Sequence, residues 1–307
     1  MPSSRPSAAR VVELACRAPS VHNTQPWCWR IDGDRVELHA DRSRQLVVAD
    51  AGGRNLLISC GAALHHAIVA AAGLGYDARV VRHPDPEQPD LLAHLDLVPA
   101  PRTAAATDRL RTLLARRTDR RRFTAWPVTE EQLGELAHGI RDGGVQVVPV
   151  AGIADRLRVE LLAARARAAE AADDRYAEEQ SRWADEARSD AVERPDGVLL
   201  LCTTTDGPES WLAAGEALSE LWLRATQEGL SVVPLSQLLE VEETRSALHH
   251  EVLGGLVVPQ LLLRLGWQEI GLSDLPATPR RPLAEVLAGP DGQGTKVPAR
   301  GAVRPVR

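Results

Sequence analysis

A chain of 307 residues, 44% hydrophobic and 25% charged, has the profile of a soluble globular protein that needs no metal or disulfide staple. Its net charge of −6 supplies no positive field for nucleic acid or anionic lipid. No run of about 18 apolar residues predicts a membrane span, and MPSSRPSAAR lacks the apolar stretch of a signal peptide, so a cytoplasmic location is expected. Residues 7–18 read as a helix, with Val11, Val12, Leu14 and Ala15 on its apolar stripe. The polar loop APSVHNTQPW follows, then strands at 27–32 and 35–40 about an Asp32-Gly33-Asp34 turn. A broad apolar helix is expected from Asn55 to Ala72, and strands at 77–82 and 91–98.

In the second half the pattern predicts a helix over 105–118, an arginine-rich stretch, and a helix opened by a Thr129/Gln132 capping box. The strand VQVVPV comes next, then a long helical segment over about 155–194. VLLLCTT at 198–204 is apolar enough to be a central strand. A helix over 208–228, a strand over 256–265 and a proline-rich tail complete the chain, with the last 18 or so residues expected to be disordered. Beneath this order lies a weak repeat. Shifted by 154 residues, Gly61, Ala63, Leu64, Ala71 and Gly75 meet Gly215, Ala217, Leu218, Ala225 and Gly229.

Two segments carry chemistry. Ser20, His22, Asn23, Thr24 and Gln25 sit in a loop pinned by Pro19 and Pro26, which suits either a flat heteroaromatic ligand with polar edges or an ordinary surface turn. Residues 116–122 hold five arginines; Arg116, Arg117, Thr118 and Arg120 suit a phosphate, or else a solvated helix end. Arg280 and Arg281, between two prolines, form a stiffer cationic pair. The four cysteines have no metal spacing, and the adjacent pairs His65-His66 and His249-His250 cannot both point one way on a helix, so no metal site is expected. No GxGxxG follows a strand and no GxSxG elbow occurs.

Residues 11–27, VVELACRAPSVHNTQPW, resemble the flavin-contacting segment of the FMN-dependent nitroreductase family, an APS-x-x-N-x-QPW loop after a helix. Residues 116–136 are similar to that family's RRSxR segment followed by Phe and PVxxxxL. The resemblance puts Arg116, Arg117, Thr118 and Arg120 on the phosphate and ribityl side. One extra residue before Phe123 leaves open a register using Arg117 and Arg121. The two segments stand in inverted order relative to ordinary members, which are homodimers. This implies a fused pseudo-dimer similar to the Acg-type branch: an α+β nitroreductase-like fold duplicated in one chain, mixed central sheets flanked by helices, and a helical lid.

Under that resemblance residues 1–104 form the first half, 105–285 the second with a lid at about 158–195, and 286–307 a flexible tail. Ser236 and Gln237 become candidates beside the flavin ring, although the family's GLGTxW is absent. Tyr176 and Trp183 become candidates to reach the flavin from the lid, and Arg280 or Arg281 to hold its phosphate. The implied cofactor is FMN. The implied activity is hydride transfer from NAD(P)H through the flavin to a nitro, quinone or related acceptor, with no obligatory catalytic residue. The alternative is a protein that sequesters FMN beneath its lid. Neither nucleic acid nor membrane is an expected partner. The expected form is a monomer with pseudo-two-fold symmetry, with further self-association left open.

Overall fold

Val11, Val12, Leu14 and Ala15 recur at helical spacing, and all four are buried on α1 (Ala8–Ala15) in the computed structural model, which describes residues 7–140, 144–183, 196–268 and 278–288. Strands β1 (Trp27–Asp32) and β2 (Arg35–Ala40) pair about Gly33, whose φ of 59° suits the tight turn. The next helix, α2 (Arg54–Leu74), opens where the Asp50 carboxylate accepts from the Asn55 and Leu56 amides, and closes at Gly75 with φ of 91°. By length and a mean hydropathy of 1.7, α2 could cross a bilayer, but 83% of that apolar window is buried. A helix apolar on every side belongs inside a core. With β3 (Tyr76–Arg82) and β4 (Leu91–Pro99) the first sheet has the order β1-β2-β4-β3.

Thr103 caps α3 (Ala104–Ala115), its hydroxyl oxygen accepting from the Ala106 amide. The helix stops before Arg116, whose ψ of 132° is extended. The arginine stretch is therefore an extended linker, buried at Arg116 and Asp119, and not the helix end that cation preference would suggest. Both bonds of the Thr129/Gln132 capping box form at the start of α4 (Glu130–His138). After β5 (Val145–Pro149), the expected continuous helix is two helices, α5 (Ile153–Ala171) and α6 (Asp174–Trp183); residues 184–195 lie outside the described part. The wholly buried β6 (Gly197–Thr203) is central, as its apolar run predicts. Then come α7 (Pro208–Gln227), β7 (Leu230–Leu235), α8 (Gln237–Glu240), α9 (Glu242–Ala247) and β8 (Val258–Trp267). The second sheet is ordered β5-β6-β8-β7, the same pattern as the first. Pro234, which cannot donate to a ladder, sits on the edge strand β7.

Every ladder among the described residues is antiparallel, so the mixed character expected of the sheets shrinks to one parallel bridge, Trp29 to Leu287. That bridge lies beside α10 (Leu283–Val286), where Val286 is fully buried against the first sheet's core. Residues 286–288, the start of the expected flexible tail, thus belong to the fold; residues 289–307 lie outside the described part.

Between the sheets α2 and α7 touch backbone to backbone. A Cβ on Gly61 would stand 2.0 Å from the Leu212 carbonyl oxygen, and one on Gly215 2.0 Å from that of Ile58. Gly61 and Gly215 stand 154 residues apart, as do Ile58 and Leu212. One turn further, Ser219 Oγ lies 2.7 Å from His65 Nδ1 and 2.8 Å from His66 Nδ1. Burial, with Arg116 and His65 nearby, holds His66 well below the usual imidazole range, so it is neutral at pH 7.

Glu220 accepts from Arg109 and lies 3.1 Å from His65 Nε2 and 3.2 Å from Arg224 Nε. Burial alone would raise this carboxyl, but His65 and Arg109 outweigh it and hold the group down at about 2. Its contribution to stability is therefore present above the ordinary glutamate range and is lost as pH falls through about 2. Glu220→Gln is expected to cost about 2 kcal/mol at pH 7, with the difference from wild type vanishing in urea titrations near pH 2. A pH-independent difference would contradict this assignment.

Candidate functional site

The APSVHNTQPW loop is held in a conformation that few side chains choose. His22, Asn23 and Gln25 have φ values of 45°, 54° and 49°, left-handed geometry that is costly without glycine and concentrates at functional sites. Local bonds enforce it. Ser20 Oγ accepts from the Gln25 amide at 3.0 Å, the Thr24 hydroxyl donates to the Val21 carbonyl at 2.8 Å, and Ser59 Oγ on α2 accepts from the Val21 amide at 3.1 Å.

The result presents Pro19, Ser20, His22 and Asn23 to a cleft whose empty volume, open mouth included, is about 1060 Å³, the size of a small-molecule site. Asn55, Ile58 and Ser59 of α2 form one wall, and Leu218 and Trp222 of α7 another. The β7–α8 corner adds Pro234, Leu235, Ser236 and Gln237. Thr118, Arg120, Thr278 and Arg280 line the remaining side.

Thr118, Thr278 and Arg280 also line an adjoining cavity shared with Arg17, Arg116 and Arg117. Arg116 is 5% exposed; its guanidinium stacks 4.6 Å from the Trp222 ring and donates once, to the Arg17 carbonyl at 2.9 Å. Its Nε and Nη1 are buried without a partner. Arg280 donates to Asn23 Oδ1 at 3.2 Å and to the Arg17 carbonyl at 3.1 Å, and its Nε is likewise unpartnered. Burial, then the neighbouring arginines, pull Arg116 down to about 9 and Arg280 to about 10. Buried N–H donors and crowded like charges are costly until an anion enters. The combined space suits an elongated ligand with a planar, partly apolar body and an anionic end.

Of the residues expected at the site, Pro19, Ser20, His22, Asn23, Thr118, Arg120, Ser236, Gln237 and Arg280 line the main cleft, and Arg116 and Arg117 line the adjoining cavity. Four do not reach either. Thr24 is fully buried, and Pro26 turns inward, its carbonyl accepting from the Cys60 thiol. Gln25 accepts from the Arg281 amide at 2.8 Å, while the Arg281 guanidinium donates to the carbonyls of Gln25, Trp27 and Glu285 and faces Asp41. Gln25 and Arg281 thus form an internal strut that fixes the loop from behind.

Arg121 is occupied by the Asp119 carboxylate and lines neither cavity, whereas Arg120 lines the main cleft. Arg117 also donates to the carbonyls of Leu114, Ala115 and Arg116. Tyr176 lines neither cavity; its hydroxyl donates to Glu240 at 2.9 Å. The side chain of Trp183 lies outside the described part. Asn55, Ile58, Ser59 and Trp222 escaped the sequence reading. Their only signal is helical spacing, which core residues share.

The nitroreductase family profile matches residues 113–267. Mycobacterium tuberculosis H37Rv "Putative NAD(P)H nitroreductase Rv3131" is 36% identical over 92% of this chain and 91% of its own length. A second protein of that strain, given the same description with the name acg, is 35% identical over 90% of this chain and 93% of its own. Among solved structures, a Bacteroides fragilis nitroreductase with bound FMN aligns at a TM-score of 0.45 and 17% identity, over 56% of this chain and 95% of that one. With sequence similarity across nine tenths of its length to two such relatives, and a family profile spanning half of it, the chain belongs to the nitroreductase family.

Proposed function

We propose that the protein binds one FMN and acts as an NAD(P)H-dependent oxidoreductase on nitro, quinone or related acceptors. The carrying observation is the pair of unpartnered buried donors on Arg116, in a cavity whose charged lining residues are all arginine. The phosphate would be held by Arg116, Arg117, Thr118 and Arg280, and the ring would lie between the Pro19–Asn23 loop and the Pro234–Gln237 corner. When bound, FMN supplies a two-electron carrier between the nicotinamide and the acceptor. The chain's own contribution is binding and orientation. Asn23, whose Oδ1 accepts from Arg280 and whose Nδ2 donates to the Pro279 carbonyl at 3.2 Å, would offer its second amide N–H to a polar ring edge; Ile58, Leu218 and Leu261 supply an apolar floor that excludes water.

The shared strand order, the reciprocal glycine contacts and the 154-residue offset support reading the chain as two nitroreductase-like halves with pseudo-two-fold symmetry. A second reading, FMN withheld from turnover, is favoured by the docking of α6. Glu179 accepts from the Val48 and Ala49 amides at 3.1 and 2.9 Å, and Tyr176 bonds Glu240.

An anaerobic visible spectrum decides between these readings. Flavin bands that bleach within seconds of NADPH or NADH addition support the oxidoreductase. Bands that bleach only with dithionite support sequestration. Absence of flavin after FMN is supplied rejects both. Asn23→Ala with Arg280→Ala is expected to weaken FMN binding by about 100-fold, read by fluorescence titration; unchanged binding would remove this site.

A further inference from the structure

Helix α5 is apolar on two opposite faces. One turns inward, with Val159, Leu162 and Ala166 buried. The other carries Ala154, Leu157, Leu161, Ala164, Ala168 and Ala171, and all six are exposed. Leu157 and Leu161 are 57% and 53% exposed, and Ile153 at the edge of the same face is 80% exposed. The outer face of a surface helix normally carries its charged residues. Along the midline of this one there are none.

The six residues follow one another at intervals of 3, 4, 3, 4 and 3, the spacing of the a and d positions in a heptad seam. They are also graded in size along the helix, the leucines in its first half and only alanines after them. Two copies laid antiparallel bring Leu157 against Ala168 of the other copy and Leu161 against its Ala164, while Ala154 meets Ala171. No layer then holds two large side chains, and the helices can approach evenly along their length, about 28 Å for 19 residues. Parallel copies would instead stack leucine on leucine at one end and leave alanine facing alanine across a gap at the other.

The flanking charges fit the same register. Glu160 makes no ion pair among the described residues, and the antiparallel seam sets it beside Arg167 of the other copy, once on each side of the two-fold axis. The opposite flank carries Arg158 and Arg165. Arg158 is already neutralised by Asp155, 3.1 Å away in its own helix, so the other copy's Arg165 meets no net charge there.

We infer that two copies of the chain associate through this face, α5 against α5 in antiparallel register, about a two-fold axis passing between residues 161 and 164. A contiguous exposed apolar seam marks an association surface, and a two-fold interface must be complementary to itself. Large-against-small layers and the Glu160–Arg167 pairing meet that condition. The pairing involves none of the cleft residues and stands whether or not flavin binds.

The full chain, without added FMN, is tested by sedimentation equilibrium. Wild type is expected to be a dimer at concentrations up to about 100 μM, and a monomer throughout that range overturns the pairing. Leu161→Glu places an unpaired carboxylate in the seam of both copies, and should weaken the dimer about 100-fold or more with an unchanged melting temperature of the monomer. A dimer of undiminished affinity in this variant overturns the assignment to α5. The register is read by combining Leu157→Cys with Ala168→Cys. These positions lie about 16 Å apart along one helix, beyond the reach of a disulfide within a chain. Oxidation is therefore expected to give a covalent dimer from the double variant and from neither single variant, with wild type and its half-exposed Cys28 as the background. A covalent dimer from Leu157→Cys alone, or none from the double variant, overturns the antiparallel seam.

Discussion

Replacing Gly61 by alanine is expected to destabilise the protein by about 3 kcal/mol or more, enough to leave much of it unfolded or aggregated on expression. The added Cβ would meet the Leu212 carbonyl oxygen at 2.0 Å and the Gly215 Cα at 2.9 Å. Both are backbone atoms of α7, so no rotamer change relieves the clash. The helices must separate, and the apolar contacts of two fully buried walls open with them. Gly215→Ala should cost a similar amount, since its Cβ would meet the Ile58 carbonyl oxygen at 2.0 Å. The double variant should cost clearly less than the sum, because one separation of α2 from α7 accommodates both methyls. Urea midpoints of the two single variants and the double variant measure this. Fully additive costs would mean that the two glycines do not share one crossing.

Arg116→Leu is expected to have opposite consequences for stability and for binding. Stability of the flavin-free protein should change by no more than about 1 kcal/mol, since replacing a buried, uncompensated cation with an apolar side chain is often neutral or favourable. The guanidinium has one hydrogen bond, two buried unpartnered nitrogens and three like charges nearby. FMN affinity should fall about 100-fold or more, because the two charge-assisted bonds proposed from Arg116 to the phosphate would go with the side chain. Thermal melts with and without FMN, together with a binding titration, read both effects. A large loss of melting temperature with unchanged affinity would make Arg116 a structural residue.

The elements themselves were legible locally. The strands at 27–32 and 35–40, the capping box at Thr129 and the glycines that close α2 and α7 all follow from short-range rules of periodicity, turn chemistry and left-handed backbone. The cleft was legible in outline, because the Pro19–Asn23 loop clusters polar groups between two prolines and the family resemblance pointed to Ser236 and Gln237. Its α2 and α7 walls were not. Asn55, Ser59 and Trp222 occupy helix faces whose sequence pattern is the same whether the neighbour is a core or a ligand.

The sequence alone indicated where most helices and strands run, that two long helices share a small-residue pattern 154 positions apart, and that one loop and one arginine stretch are candidates to carry the chemistry. Only the tertiary structure decided which member of each pair serves the cleft. Arg280 faces it while adjacent Arg281 braces Gln25, and Thr118 reaches both cavities while Arg121 is taken by Asp119. The physical reason is that local rules act over one or two turns of chain. Side-chain direction at Arg116, Arg280 and Arg281 is set instead by partners far away in sequence: carbonyls of the segment 17–27 and the carboxylate of Asp41.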